Sequence, residues 1–243
     1  MAMKHTALIA AGLLSSALAA HAAETVILTG FTFNPLGSPG APAADFSTNF
    51  ITTIDVDASL PVSPPAASHL GAGQMSGFLN GNSFVTYCVQ IDVPVGFGFT
   101  YTDYTLVAGA SPAGFGSRAA DLAKLMTWAN AGGKPSNAAD SAALQAAVWE
   151  IVHETTDGAY SFVAGKLETS SNSAATQAAL NTIEGNWATI MAISPTYSVS
   201  RLDGANQDLL IFAALPVPEA GSLAMMVLGL MGVGVAVRKR HRN

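Results

Sequence analysis

The chain has little of what most enzymes and nucleic-acid-binding proteins rely on. Only 11% of its 243 residues are charged, and Cys88 is its single cysteine. One thiol excludes an internal disulfide framework, so an exported form must keep that thiol buried, paired with another chain, or chemically occupied. Histidine is also scarce. Between the two ends of the chain only His69 and His153 occur, too few and too isolated for a zinc set. No Gly-x-Ser-x-Gly elbow, P-loop or dinucleotide fingerprint appears, so classical hydrolase and nucleotide chemistry lack support and no cofactor is expected. Positive charge is concentrated at the ends. Residues 23–219 carry five basic side chains (Arg118, Lys124, Lys134, Lys166, Arg201) against all sixteen acids, a net charge of about −11. Such a surface repels phosphate backbones, and nucleic acid is not an expected partner.

The ends themselves are apolar and basic. Lys4 and His5 precede an apolar stretch from Ala7 to Ala20, and Ala20-His21-Ala22 places small residues at −3 and −1. This pattern reads as a secretory signal peptide over residues 1–22, cleaved after Ala22. At the other end, Val217-Pro218-Glu219 is followed by an uncharged run over 220–237 and then by Arg238, Lys239, Arg240 and Arg242. At a helical rise of about 1.5 Å per residue the run extends about 27 Å, near the lower limit for a bilayer, and it reads as a transmembrane helix. Lys and Arg stay cytoplasmic, which leaves the body outside. A buried core helix is the alternative, but such a helix rarely ends a chain with a basic cluster behind it.

This tail, residues 216–243, resembles the PEP-CTERM sorting signal of Gram-negative bacteria: a Pro-Glu motif, an apolar span and a terminal Arg-rich patch in that order. The resemblance implies sorting by an exosortase-type enzyme, an intermediate anchored in the inner membrane, and a final place in the cell envelope or outside the cell. The family pattern is Val-Pro-Glu-Pro, whereas here Ala220 follows Glu219.

The exported body, residues 23–215, is long enough for one sizeable core or two small ones. Strands are expected over 24–33, 46–56, 73–79, 83–93 and 97–107, from their β-branched and aromatic residues and partial alternation. Gly96-Phe97-Gly98 suggests a hairpin joining the last two. Helical spacing follows. Leu122, Leu125, Met126 and Ala129 define a helix over 117–131, and Leu144, Val148 and Ile151 a second over 136–154. A third is expected over 173–193, weakened by Gly185 within it. Two closing strands, 195–202 and 207–215, flank a turn at Asp203-Gly204. Asp203 to Asp208 has the look of a calcium loop but lacks its spacing and closing Glu, so it reads as a hairpin turn and no metal is expected. Glu150, Glu154 and Asp157 read as a solvated helix end. Strands, then helices, then strands, with no internal repeat, predict one α+β domain: an antiparallel sheet or sandwich with a helical insertion.

Two stretches carry candidate chemistry. Tyr87-Cys88 lies on an expected strand and Gln145-Ala-Ala-Val148-Trp149 on an expected helix. Together they resemble the thioester (Cys–Gln) domains of bacterial surface adhesins, which pair a Tyr-Cys dipeptide with a later Gln-x-Ala-[Ile/Val]-Trp segment; the similar part spans about 77–215. A recurrent ectodomain of PEP-CTERM proteins also resembles the segment from Gln145 to Glu168 and the closing Gln207-Asp208. The resemblance implies a bond between Cys88 and Gln145. Trp149, one turn beyond Gln145, is a candidate shield, and His153, a further turn on, a candidate proton acceptor. The plain alternative is a buried strand cysteine and an unrelated helix glutamine.

The expected function is therefore an exported, non-enzymatic surface-attachment or matrix protein in biofilm or exopolysaccharide association. Its partner would be an extracellular polymer or cell-surface nucleophile, engaged through the Cys88–Gln145 bond. A structural or carbohydrate-binding domain without that bond is the main alternative. An exported hydrolase built on the acidic cluster is a third.

Overall fold

The computed structural model describes residues 23–33, 50–56, 70–91, 93, 95–154, 159–165, 167–171 and 173–216. Nine strands and four helices follow one another along these residues: β1 (Glu24–Phe31), β2 (Phe50–Val56), β3 (Leu70–Gly71), β4 (Met75–Leu79), β5 (Asn82–Cys88), β6 (Thr100–Ala108), α1 (Arg118–Ala131), α2 (Ala138–His153), β7 (Leu167–Ser171), α3 (Ala174–Glu184), α4 (Trp187–Ala192), β8 (Tyr197–Asp203) and β9 (Leu209–Ala214).

Six of the strands close on themselves as an antiparallel barrel in the order β1-β4-β5-β9-β8-β6, and β3-β2-β7 form a separate small sheet. The expected sheet or sandwich is corrected on this point. β1 pairs along one edge with β4 (Leu28 opposite Gly77) and along the other with β6 (Val26 opposite Tyr101). One strand with two partners leaves the sheet no free edge. Alternation in a single strand reports which face is buried but not whether both edges are paired, which is why the pattern did not show closure. A register shift between Leu28 and Gly30 bends β1 as it serves both neighbours. The β1–β4 contact is close enough that a Cβ at Gly77 would run into the Ile27 carbonyl oxygen.

The predicted hairpin at Gly96-Phe97-Gly98 also gives way. β5 pairs with β4 and β9, while β6 pairs with β1 and β8. Gly98 instead donates its N–H to Leu28 O at 2.8 Å, so the connection crosses β1 rather than turning back on itself.

The expected transmembrane segment at 220–237 lies outside the described residues, as do the signal-peptide segment 1–22 and His69. Among the described residues, no helix is long and apolar enough to cross a membrane. Over the described residues the fold is thus a closed barrel with packed helices rather than a sandwich.

The helices lie between β6 and β8 in the chain and complete one hydrophobic core. Tyr87, Tyr104, Leu209 and Leu210 of the barrel join Leu122 and Leu125 of α1 and Leu144, Val148 and Ile151 of α2. α2 is buried all round, from Ser141 to Ile151 without a break. Its four buried alanines, Ala142, Ala143, Ala146 and Ala147, let neighbouring backbones come close on every side, as a central helix requires. Asn137 caps it, its side chain accepting from Asp140 N at 2.9 Å. The expected third helix breaks at Gly185 into α3 and α4.

Candidate functional site

The centre of the site is one residue of α2 facing the end of one strand. Gln145 is 1% exposed, although glutamine in a helix usually reaches water. Its carboxamide lies against the main chain of Cys88, the last residue of β5. Cys88 N–H donates to Gln145 Oε1 at 2.8 Å, and Gln145 Nε2 donates to Cys88 O at 2.8 Å. This two-point grip satisfies both polar faces of a buried amide and both main-chain groups of Cys88. It joins the side chain of one residue singled out in the sequence to the main chain of the other, 57 residues away.

A row of residues four apart on α2 builds this contact. Ser141 Oγ accepts from Gln74 N at 2.6 Å beside β4, Gln145 takes Cys88 at the end of β5, and His153 Nε2 lies 3.0 Å from Val89 O. Trp149, between Gln145 and His153, is 2% exposed. Positions i and i+4 form one ridge of a helix, and here that ridge lies across the start of β4 and the end of β5. β5 consequently loses its alternation at this end: Thr86, Tyr87, Cys88 and Val89 are all buried, since α2 covers the face that solvent would otherwise reach.

The surroundings decide the chemistry open to the thiol. Burial pushes the Cys88 thiol up to about 12, so near neutral pH the sulfur holds its proton and is a small apolar group. The amide has the opposite bias. A main-chain N–H aimed at its carbonyl oxygen polarises the amide carbon and supports negative charge on that oxygen, as oxyanion-hole donors do. His153 meets the main chain of Val89, the residue after Cys88. A carbonyl oxygen only accepts, so at Val89 O the Nε2 atom is the donor, and the contact orients the ring against the main chain. Trp149 places its ring in the same core, with Nε1 unpartnered among the described atoms.

A second network holds the strand ends behind the thiol. Val89 N–H donates to Asp208 O at 2.9 Å, Gln207 Nε2 to Gln90 O at 2.7 Å, and Asp208 N–H to Gln90 Oε1 at 2.9 Å. Tyr104 adds its hydroxyl to Gln207 O at 2.7 Å. Asp208, 1% exposed, pairs with Arg201. The loop read as a hairpin turn between the closing strands is clasped at this point, with Asp208 paired to Arg201. Among the described residues, no group of three His, Cys, Asp or Glu could hold a metal ion.

The acidic end of α2 departs from the sequence reading. Glu150 is 0% and Glu154 7% exposed, while Asp157 lies outside the described residues. Glu150 Oε1 accepts from Ser161 N at 2.8 Å, and its Oε2 has no partner among the described atoms. Glu184 takes Ser161 Oγ at 2.7 Å and Phe162 N at 2.9 Å. Burial, reinforced by the charges of Glu154 and Glu184, raises the Glu150 carboxyl to about 8. Gln90, Gln207 and the buried Glu150 were not identified from the sequence as parts of these networks. Their polar side chains give no periodic signal, and only the long-range partners reveal their roles. The sorting residues Val217, Pro218, Glu219, Arg238, Lys239, Arg240 and Arg242 lie outside the described residues.

Compared with known proteins, the chain matches no family model, no curated protein and no solved structure.

Proposed function

We propose that this chain is an exported surface-attachment protein whose reactive element is an internal thioester between Cys88 and Gln145. The observation that supports the reading best is the two-point grip of the Gln145 carboxamide on the main chain of Cys88, inside a core that excludes water. In the forming step, Cys88 Sγ bonds to the Gln145 amide carbon and the C–N bond breaks. The thiol proton leaves with the amide nitrogen as ammonia. The Cys88 N–H stabilises the oxygen that carries negative charge in between. In the capture step, an amine or hydroxyl of an extracellular polymer attacks the thioester carbon. The C–S bond breaks, an amide or ester forms, and the released thiol takes up the nucleophile's proton. The protein is consumed once and does not turn over, which fits an attachment module rather than an enzyme. Trp149 shields the bond from water before capture.

Both chain ends support the wider setting. An N-terminal export signal and a PEP-CTERM-like tail fit release from an inner-membrane stage, through an exosortase-type enzyme, to the envelope or extracellular matrix.

Intact-mass spectrometry of the purified protein tests the bond. Its mass should read about 17 Da below the sequence mass through loss of ammonia, and Cys88 should resist alkylation under denaturing conditions until an amine is added. Full mass with a readily alkylated thiol would reject the thioester. That result favours the second reading, which rests on the same hydrogen bonds: Gln145 then acts as a non-covalent pin holding the end of β5 to α2 in a structural or carbohydrate-binding surface domain.

A further inference from the structure

Beyond the end of α2 a short irregular segment is pinned by carboxyl groups. Ser161 N–H donates to Glu150 Oε1 at 2.8 Å, Phe162 N–H to Glu184 Oε2 at 2.9 Å, and Ser161 Oγ to Glu184 Oε1 at 2.7 Å. Thr169 N–H adds a main-chain bond to Phe162 O at 2.9 Å. The rings of Tyr160 and Phe162 lie 5.3 and 5.6 Å from that of Trp187 on α4, and both are buried, whereas Val163 is 71% exposed. Residues 160–162 thus make a clip. Two rings point inward, two consecutive main-chain N–H groups rest on acids from two different helices, and water begins at Val163.

The two acids differ in how they are satisfied. Both Glu184 oxygens accept, Oε2 also from Trp187 Nε1 at 3.2 Å, and the side chain is half-buried. Glu150 is fully buried, and its Oε2 has no partner among the described atoms. The charges facing it come from Glu154 just past α2, Glu184 at the end of α3 and Arg118 at the start of α1. Arg118 is already engaged, donating to Tyr160 Oη at 3.0 Å and to the Glu154 carbonyl oxygen, and Tyr160 Oη donates to Asp121 of α1 at 2.7 Å. A protonated Glu150 fits this place. An ionised one leaves a charged oxygen without a donor beside two further acids, so it must reach water. α2 is packed on every side and cannot carry it out. Ser161, by contrast, sits on the carboxyl itself and only two residues from exposed Val163.

We propose that residues 160–162 form a pH-sensitive clip: when Glu150 loses its proton the segment lifts from the helices while the barrel stays closed, and the Tyr160, Phe162 and Trp187 rings become accessible. Gly165 supplies the pivot. Its φ of +120° suits glycine, and a Cβ there would run into Glu154 Oε2. The clip is independent of the Cys88–Gln145 bond. Burial raises the carboxyl of the closed form to about 8, from an ordinary 4.5. Between these values the opened form binds fewer protons. The clip therefore holds fully below the ordinary value, weakens as pH climbs, and changes no further above the raised one. Linkage sets the slope at about tenfold in the opening equilibrium per pH unit.

Amide hydrogen exchange on the purified protein, followed by NMR at about pH 6, 7 and 8, reads the clip at the two amides it fixes, Ser161 and Phe162. After correction for intrinsic exchange, their protection in wild type should fall about tenfold per pH unit, about a hundredfold in all. Glu150→Gln keeps an oxygen for Ser161 N–H and cannot ionise, so its protection should stay constant. At each pH both amides should exchange at least about tenfold faster than those of Leu122 and Leu125 in α1, because a local opening costs less than global unfolding. Exchange at the same rate as α1 would overturn the proposal, since the segment would then open only with the whole domain. So would pH-independent protection in wild type, or an equal slope in Glu150→Gln. The wild-type series decides on its own if the variant does not fold.

Discussion

Replacing Glu150 with Gln should stabilise the protein, and by an amount that grows with pH. The folded carboxyl, fully buried, holds its proton up to about pH 8, against 4.5 for an ordinary glutamate. Burial is the main cause; the Glu154 and Glu184 charges add to it, while the Ser161 N–H and the charge of Arg118 oppose it. Unfolding between these two pH values releases a proton. Stability is therefore complete below the unfolded value and is lost as pH climbs towards the folded one, at about 1.4 kcal/mol per pH unit. Across the window the loss sums to about 5 kcal/mol, a large share of a typical domain's stability. Glutamine keeps an oxygen to accept from Ser161 N and removes the titration. At pH 5 the two proteins should agree within about 1 kcal/mol, and at pH 8 the glutamine form should be more stable by about 3–5 kcal/mol. Urea unfolding of both proteins at pH 5, 6, 7 and 8 measures this, and the difference between them cancels the other titrating groups. A difference that stays constant over that range would refute the reasoning and return Glu150 to the solvated helix end that its sequence suggested.

Three further outcomes follow from the same geometry. Gln145→Ala strands the buried N–H and C=O of Cys88 and opens a cavity, so urea unfolding should show a loss of about 3–5 kcal/mol; a loss under about 1 kcal/mol would mean that the grip contributes little. Arg201→Met leaves Asp208 buried beside an apolar chain and should cost about 2–3 kcal/mol at pH 7, below the full cost of breaking a buried pair because Arg201 is partly exposed. Asp208→Asn added to it should recover part of the loss, and no recovery in thermal melts would argue against the pairing. Replacing Val217-Pro218-Glu219 with alanines should change the C-terminus of the mature protein, read by mass spectrometry of the exported fraction; an unaltered terminus would remove the sorting proposal.

Local features were legible wherever short-range physics dominates. A capping residue at Ser136 or Asn137 before Asp140 marks the start of α2 (the structure uses Asn137), the apolar spacing of Leu144, Val148 and Ile151 gives its helical period, and Asp203-Gly204 lies at the turn between β8 and β9. That Cys88 and Gln145 meet was an expectation from resemblance alone, since nothing in either stretch by itself points to the other. Glu150 shows the limit from the other side. A helix of alanines with one acid near its end reads as amphipathic, and only the packing of 161–162 and the end of α3 against it makes that acid a buried one.

What the sequence determined by itself was the set of pieces: alternation, helical spacing, caps and turns are settled within a few residues, and the two apolar, basic-flanked ends carry their own pattern. Tertiary structure alone decided that β1 has two neighbours and closes the barrel, that β5 and β6 do not form a hairpin, and that α2 lays Ser141, Gln145 and His153 across the start of β4 and the end of β5. The physical reason is that edge pairing and burial are properties of partners distant in the chain. A strand's own residues say which face is apolar. They do not say which strand, or which amide, arrives to cover it.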